Sequence, residues 1–393
     1  MPMPTTTLHH YIEHYFAPHP SQQVRELFYS KAILDFAAHS VMLFEPIYLH
    51  SIGFSVPQVV MFYVALYVLY FIFLPVGGRI CRHNGNERTI LLSSPFLFIW
   101  YLSLFAIPLH PVFIPVALIS IVIQKILYWP GYHSDLASWG GRQERGREVS
   151  NTIALTGIMA TLGPVFGGFV IAKFGYATLL IGTAFLILLS NLPLLKTPEF
   201  FIPKEFPYFA ALKRPFLKRN LRGTVAFLGH GEDIVAFTVW PIFISFMIPD
   251  TVSLGAIVSI AMLVNIAVIL YAGRVTDEGD RYGLLRSGAL FTSASWFVRP
   301  IVAGSLGVFL MDSYYRVSKS VFAVPLAAAR YDFAQGEEAM ESIVAYEMAL
   351  ALGKALAGTI IAAVLWKFPD AWSSAFLIAA AFSLLYALMP RNP

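Results

Sequence analysis

Charge is scarce in this chain: Asp, Glu, Lys and Arg make up 13% of its 393 residues, against about 25% in soluble domains. With 57% hydrophobic residues and a mean hydropathy of +0.67, a water-facing globular fold is excluded as the whole architecture. Cysteine occurs once, at Cys81, so no intramolecular disulfide can form. No GxxxxGK[ST] phosphate loop is present, since Gly140, Gly141 and Gly146 stand among arginines without the lysine–hydroxyl pair that cradles a nucleotide. ATP hydrolysis by the chain itself is thereby disfavoured. Alternating apolar and polar residues are also missing, which argues against a membrane β-barrel.

Long continuous apolar runs take the place of these features. Windows of about 20 apolar residues fall at 27–50, 57–77, 88–107, 111–132, 152–172 and 177–195, then at 222–247, 252–272, 284–303, 306–327, 341–366 and 371–389. The expectation is an all-α polytopic membrane protein with twelve transmembrane helices. Polar sequence precedes the first window, which contains Asp35 and Glu45, so it reads as a span and not as a cleaved signal peptide. The two sets of windows are related. A shift of 195 places Pro46 on Pro241 and Gly78-Arg79 on Gly273-Arg274, while a shift of 190 places Gly163 and Gly168 on Gly353 and Gly358. A duplicated apolar chain implies two pseudo-symmetric six-helix bundles with a substrate path between them, the plan of a secondary transporter.

Basic residues give the orientation. Arg79, Arg82 and Arg88, then Arg142, Arg145 and Arg147, then Arg274, Arg281 and Arg286 cluster in alternate loops, and the linker adds Lys196, Lys204, Lys213, Arg214, Lys218, Arg219 and Arg222. The opposite loops offer little beyond Lys173 and Lys367. The positive-inside rule therefore expects a cytoplasmic tail at 1–24, a six-helix bundle at 25–195, a cytoplasmic linker at 196–221 and a second bundle at 222–393, in the inner (cytoplasmic) membrane. The net charge of +4 then reflects topology, with anionic lipid and not nucleic acid as partner. Phe209-Ala-Ala-Leu212 among basic residues suggests a helix on the inner membrane surface.

Charges inside the windows are costly and mark function or pairing. The first window carries Asp35 and Glu45, the fourth Gln124 and Lys125, the seventh His230, Glu232 and Asp233, the ninth Arg299, the tenth Asp312, Arg316 and Lys319, and the eleventh Glu347 and Lys354. Windows one, four, seven and ten hold most of these residues, as four helices around one cavity would. Asp35 lies four residues from both Lys31 and His39; it is a proton-coupling candidate if desolvated, or a permanent partner of Lys31. His230, Glu232, Asp233 and Glu347 are further proton-coupling candidates. Lys125, Arg316, Lys319 and Lys354 are candidate substrate contacts, with Tyr128, Trp129, Phe237, Trp240, Tyr314, Tyr315 and Tyr346 as aromatic walls or ordinary core. Asp312 and Arg316 are spaced to pair along one helix, and Glu45 and Arg299 are expected near helix ends, reaching the interface.

The chain resembles the major facilitator superfamily at several points. That family carries G-x-x-x-D-[RK]-x-G-[RK]-[RK] after its second and eighth helices. The second copy here reads Gly273-Arg-Val-Thr-Asp277, then Arg281, Gly283 and Arg286, while the first has Gly78, Arg79 and, where the family has an acid, Arg82. Gly163-Pro164-x-x-Gly167-Gly168 in the fifth window is similar to the family's antiporter motif, and Asp135-Leu-Ala and Asp332-Phe-Ala fit its repeated inner loops. The resemblance implies alternating access without cofactor or metal, with small molecules and protons as partners and a monomer as the working unit. Proton-coupled export is the leading reading, and an uptake symporter for a sugar, amino acid or organic anion is the alternative. His10-Tyr-Ile-Glu13-His14 spells a zinc-peptidase pattern, but that chemistry needs a structured pocket and a third ligand, and the segment reads as a short polar tail.

Overall fold

Proline and glycine set the breaks in the helices. The computed structural model describes residues 22–139, 145–195, 201, 203–333 and 338–391. Helix α1 (Gln22–Met42) stops and resumes as Glu45–Ser51, with Pro46 in its first turn, where a missing N–H costs no hydrogen bond. α2 (Val56–Asn84) starts in a capping box in which the Gln58 side chain accepts from the Ser55 N–H at 2.7 Å. α3 (Asn86–Ala106) and α4 (Phe113–Trp139) follow. The helical segment Arg145–Ser190 is interrupted only at Gly175, with φ 81° and ψ 171°, a conformation that glycine adopts without a Cβ penalty. The part before Gly175 is α5 and the part after it α6.

α7 runs from Leu221–Leu228 to Trp240–Met247 through a 3₁₀ turn at Gly229–Gly231 and a π turn at Val235–Val239. Pro241, the repeat partner of Pro46, sits at the start of its last piece. α8 (Thr251–Glu278), α9 (Arg281–Val298), α10 (Gly304–Phe333), α11 (Ala339–Lys367) and α12 (Trp372–Leu385) complete the second half. The described residues thus form the twelve helices and two bundles expected, and the short helix Tyr208–Lys213 lies in the linker. The tail with His9, His10 and His14, and the Gly140–Gly141 loop, lie outside the described residues.

Among the described residues, seven segments are long and apolar enough to cross a membrane on their own, including Val56–Asn84 and Ala339–Lys367. Leu263, Phe185, Phe174, Leu306 and Ile301 are all more than half exposed on the outer surface, as bilayer-facing side chains are. The protein is a multi-pass membrane protein.

Glycines set the contact between halves. α5 packs on α1 and α8, and α11 packs on α2 and α7. A Cβ on Gly163 would lie 2.7 Å from the His39 backbone, and one on Gly167 would overlap the Ser40 carbonyl, so both face α1. Gly168 and the Pro164 carbonyl instead meet Thr251, Val252 and Gly255 of α8. The repeat copies behave alike. Gly353 packs on the Leu228 backbone of α7, and Gly358 on Val64 of α2 and Ile234 of α7. Small residues bring backbones close enough for van der Waals packing, the main attraction between helices in lipid.

Candidate functional site

A cavity of about 540 Å³ lies between the halves, lined from α1, α2, α3, α4, α7, α10 and α11. Its aromatic wall comes from Tyr63, Tyr67, Trp100, Tyr128, Trp129 and Phe237, and its ionisable residues include Asp35, Glu45, Lys125, His133, Asp233, Arg330, Glu347 and Lys354. Volumes of a few hundred Å³ with apolar walls and a few fixed polar groups suit a small organic ligand.

Buried ions need partners, and almost every one here has them. Asp35 is ion-paired with Lys31, one helical turn away, and its backbone carbonyl meets His39 Nδ1 at 2.8 Å. Lys319 of α10 joins Glu232 at 2.6 Å and also Asp233, while Asp233 reaches Lys354 of α11 at 3.0 Å. Glu232 is fully buried and also accepts from Tyr315 Oη at 2.9 Å and Trp296 Nε1 at 3.1 Å. The π turn begins two residues beyond Asp233; such turns break regular hydrogen bonding and recur at functional sites. Lys354 and Lys125 both stand over the Tyr67 ring, at 4.9 Å and 5.8 Å.

Glu347 ties both halves together at one end of the cavity. It accepts from Tyr70 of α2 at 3.0 Å, and lies 3.3 Å from His133 of α4 and 3.5 Å from Arg330 of α10. His133 in turn meets Tyr331 Oη at 2.8 Å and stacks on Trp129. At the other end the cavity is flanked by the last piece of α1 beside that of α7, where His50 and Phe246 meet edge to face.

Three sequence expectations need correction. Glu45 does not reach an interface: it is 9% exposed, lines the cavity and accepts from Tyr63 Oη at 2.5 Å beside the Trp100 indole. Among the described residues no cation stands within ion-pair distance of it. Arg299 is fully buried, its guanidinium 3.9 Å from the Trp240 and Trp296 rings and 4.6 Å from Tyr315. His230 does not line the cavity; its Nδ1 meets Tyr386 Oη at 2.6 Å inside the second bundle.

The substrate-cavity candidates divide between two spaces. Lys125, Tyr128 and Lys354 line the main cavity, with Lys319 at its edge through Asp233. Trp240, Tyr315 and Arg316 line a separate chamber of about 60 Å³. Arg316 is bound by Asp312 of its own helix at 2.6 Å and does not face Glu232. Tyr314 is 38% exposed, away from both spaces.

Among the conformational motif residues, Arg82 lies 3.7 Å from Glu341 of α11, across the interface between halves. Gly78 packs on Val344, beside that pair, and on Phe206. Arg82, standing where the family has an acid, thus faces a carboxylate of the opposite half. Arg79 borders a cleft against Pro203–Phe206, Gly273 is buried, and Arg281 Nε reaches the Thr276 carbonyl at 3.4 Å. The side chains of Asp135, Asp277 and Asp332 lie outside the described residues.

Twelve helices in two repeated halves around a charged central cavity define a membrane transporter of small molecules. The chain belongs to the major facilitator superfamily, whose profile matches residues 27–311. Among solved structures it is similar to the xylose transporter XylE from E. coli in a partially occluded inward-open conformation, with TM-score 0.66 and 14% identity over 92% of this chain and 95% of that one. It is also similar to the human organic anion transporter MFSD10 (TETRAN), with TM-score 0.63 and 14% identity over 95% of this chain and all of that one. At such identities the likeness is one of fold. No curated protein sequence matches the chain.

Proposed function

We propose that this transporter couples the movement of an amphipathic organic solute to protons, and that it works as an exporter. The observation that carries the reading is Glu45. Asp35, Glu232, Asp233 and Glu347 each have a basic partner, whereas Glu45 is held only by neutral groups in an aromatic wall of the same cavity. Proton uptake there removes a charge that no ion pair holds among the described residues, Lys125 of the same cavity acting on it only from beyond ion-pair distance. Protonating Asp35, by contrast, would leave Lys31 unpaired. The solute would lie among Tyr67, Tyr128, Trp129 and Phe237, with Lys125 and Lys354 within reach of an acceptor.

Export is supported by Gly163-Pro164-x-x-Gly167-Gly168, whose members touch both α1 and α8 and so join the mobile contact between halves to the helix that carries Glu45. On this reading, residues 25–195 and 222–393 rock as two bodies, a monomer suffices, and the basic loops keep the termini and linker on the cytoplasmic side of the inner membrane. The test is flux in proteoliposomes. An acidic lumen should drive solute inward in exchange for protons. Accumulation only under an acidic exterior would establish the alternative, an uptake symporter.

A further inference from the structure

The chamber beside the main cavity is rich in donors and short of acceptors. Asp312 is the one carboxylate that lines it, and it is shared by two arginines, Arg316 at 2.6 Å and Arg299 at 4.0 Å. The neighbouring cluster is balanced, with Glu232 and Asp233 against Lys319 and Lys354. The excess of one positive charge is therefore local to Asp312 and its two arginines. Buried donors lack acceptors in the chamber wall, at Trp240, and just behind it, at Arg299. Arg299 is fully buried and its Nε, Nη1 and Nη2 find no hydrogen-bond acceptor among the described residues, nor does Nε1 of Trp240, which lines the chamber at 3% exposure.

Each fact alone has a plain explanation, since stacking between Trp240 and Trp296 accounts for the position of Arg299. Together they do not. Stacking satisfies the faces of a guanidinium and leaves its edge donors open, and buried donors without acceptors are strongly disfavoured. An unbalanced charge in a largely buried cluster is disfavoured as well.

We infer that the chamber between α1, α5, α7 and α10 binds a monovalent anion, which accepts from Arg316 and the Trp240 indole and completes the charge around Asp312. Its volume of about 60 Å³ admits a halide or a single carboxylate group and not a whole organic solute. The occupant is either an inorganic ion resident in the protein or the carboxylate end of a solute lying in the main cavity, since both spaces share His39, Met42 and Phe237.

The test is the thermal unfolding midpoint of the purified protein in detergent, at constant ionic strength, with chloride, bromide or acetate replacing isethionate, which is larger than the chamber and carries no carboxylate. At least one of the three should raise the midpoint saturably. A rise with halides marks a resident ion, and a rise with acetate alone marks a carboxylate subsite. Trp240→Phe, which keeps the ring and removes the indole donor, should require severalfold more anion for the same shift, and Arg316→Gln should lose most of it. Lys125→Gln, in the main cavity, should keep the full shift. Equal midpoints in all four salts would overturn the inference, as would a wild-type response in both Trp240→Phe and Arg316→Gln. Neither result depends on proton coupling or transport direction, so this inference and the proposed function can fail separately.

Discussion

Breaking the pair between Arg82 and Glu341 should loosen a latch between the two halves. The two side chains are 15% and 7% exposed and 3.7 Å apart. At an effective dielectric near 20, that separation corresponds to an attraction of about 4 kcal/mol before hydration is counted. Desolvation offsets much of it, and couplings between contacting charges typically fall at 0.5–3 kcal/mol. Because the pair links α2 to α11 across the interface between halves, its loss acts on the contact between halves and not on either bundle alone. About 1.4 kcal/mol shifts that equilibrium tenfold. Val344 is fully buried against Gly78 in the same contact, and a cysteine there, in a Cys81→Ser background, reports opening through its alkylation rate. Arg82→Gln should raise the rate about tenfold by that arithmetic, Glu341→Gln should do the same, and Arg82→Glu combined with Glu341→Arg should bring it back toward the starting value. Unchanged rates in the single variants, or a reversed pair as reactive as either, would refute the latch.

Two further outcomes follow from the packing. Gly168→Leu places a side chain into the Thr251 carbonyl of α8, across the contact between halves, and should cut turnover severely while solute binding survives. If turnover is unaffected, as flux and binding on one preparation would reveal, the motif is not part of the moving contact. Lys319→Met leaves Glu232 and Asp233 adjacent, with Lys354 as the sole remaining base of that cluster, and should destabilise the protein by about 3–5 kcal/mol. Denaturation of the purified variant measures this, and a loss below about 1 kcal/mol would mean that the cluster is more hydrated than its burial implies.

Much of this architecture is legible in the sequence because the chain repeats itself. Pro46 and Pro241 mark equivalent breaks in α1 and α7, and Gly163, Gly168, Gly353 and Gly358 mark equivalent helix contacts. Pairs one helical turn apart, Lys31 with Asp35 and Asp312 with Arg316, are legible for the same local reason. Partners far apart in the chain are not. Nothing in the sequence couples Glu347 to Tyr70, His133 and Arg330, which arrive from three other helices. His133 falls one residue past its apolar window because α4 continues through Trp139, though its spacing of one turn from Trp129 was a usable signal. Glu45 and Arg299 read as interfacial because hydropathy windows convert position into depth. The break in α1 and the aromatic cage around Arg299 change that depth.

The central claim is that Glu45 exchanges the coupling proton. Glu45→Gln retains an acceptor for Tyr63 and nearly the same volume, so the cavity should persist while a titratable group is lost. In proteoliposomes with an acidic lumen, the variant should no longer concentrate solute against its gradient, yet it should still equilibrate solute down a gradient. Concentrative, pH-driven uptake at the wild-type level by Glu45→Gln would contradict the account.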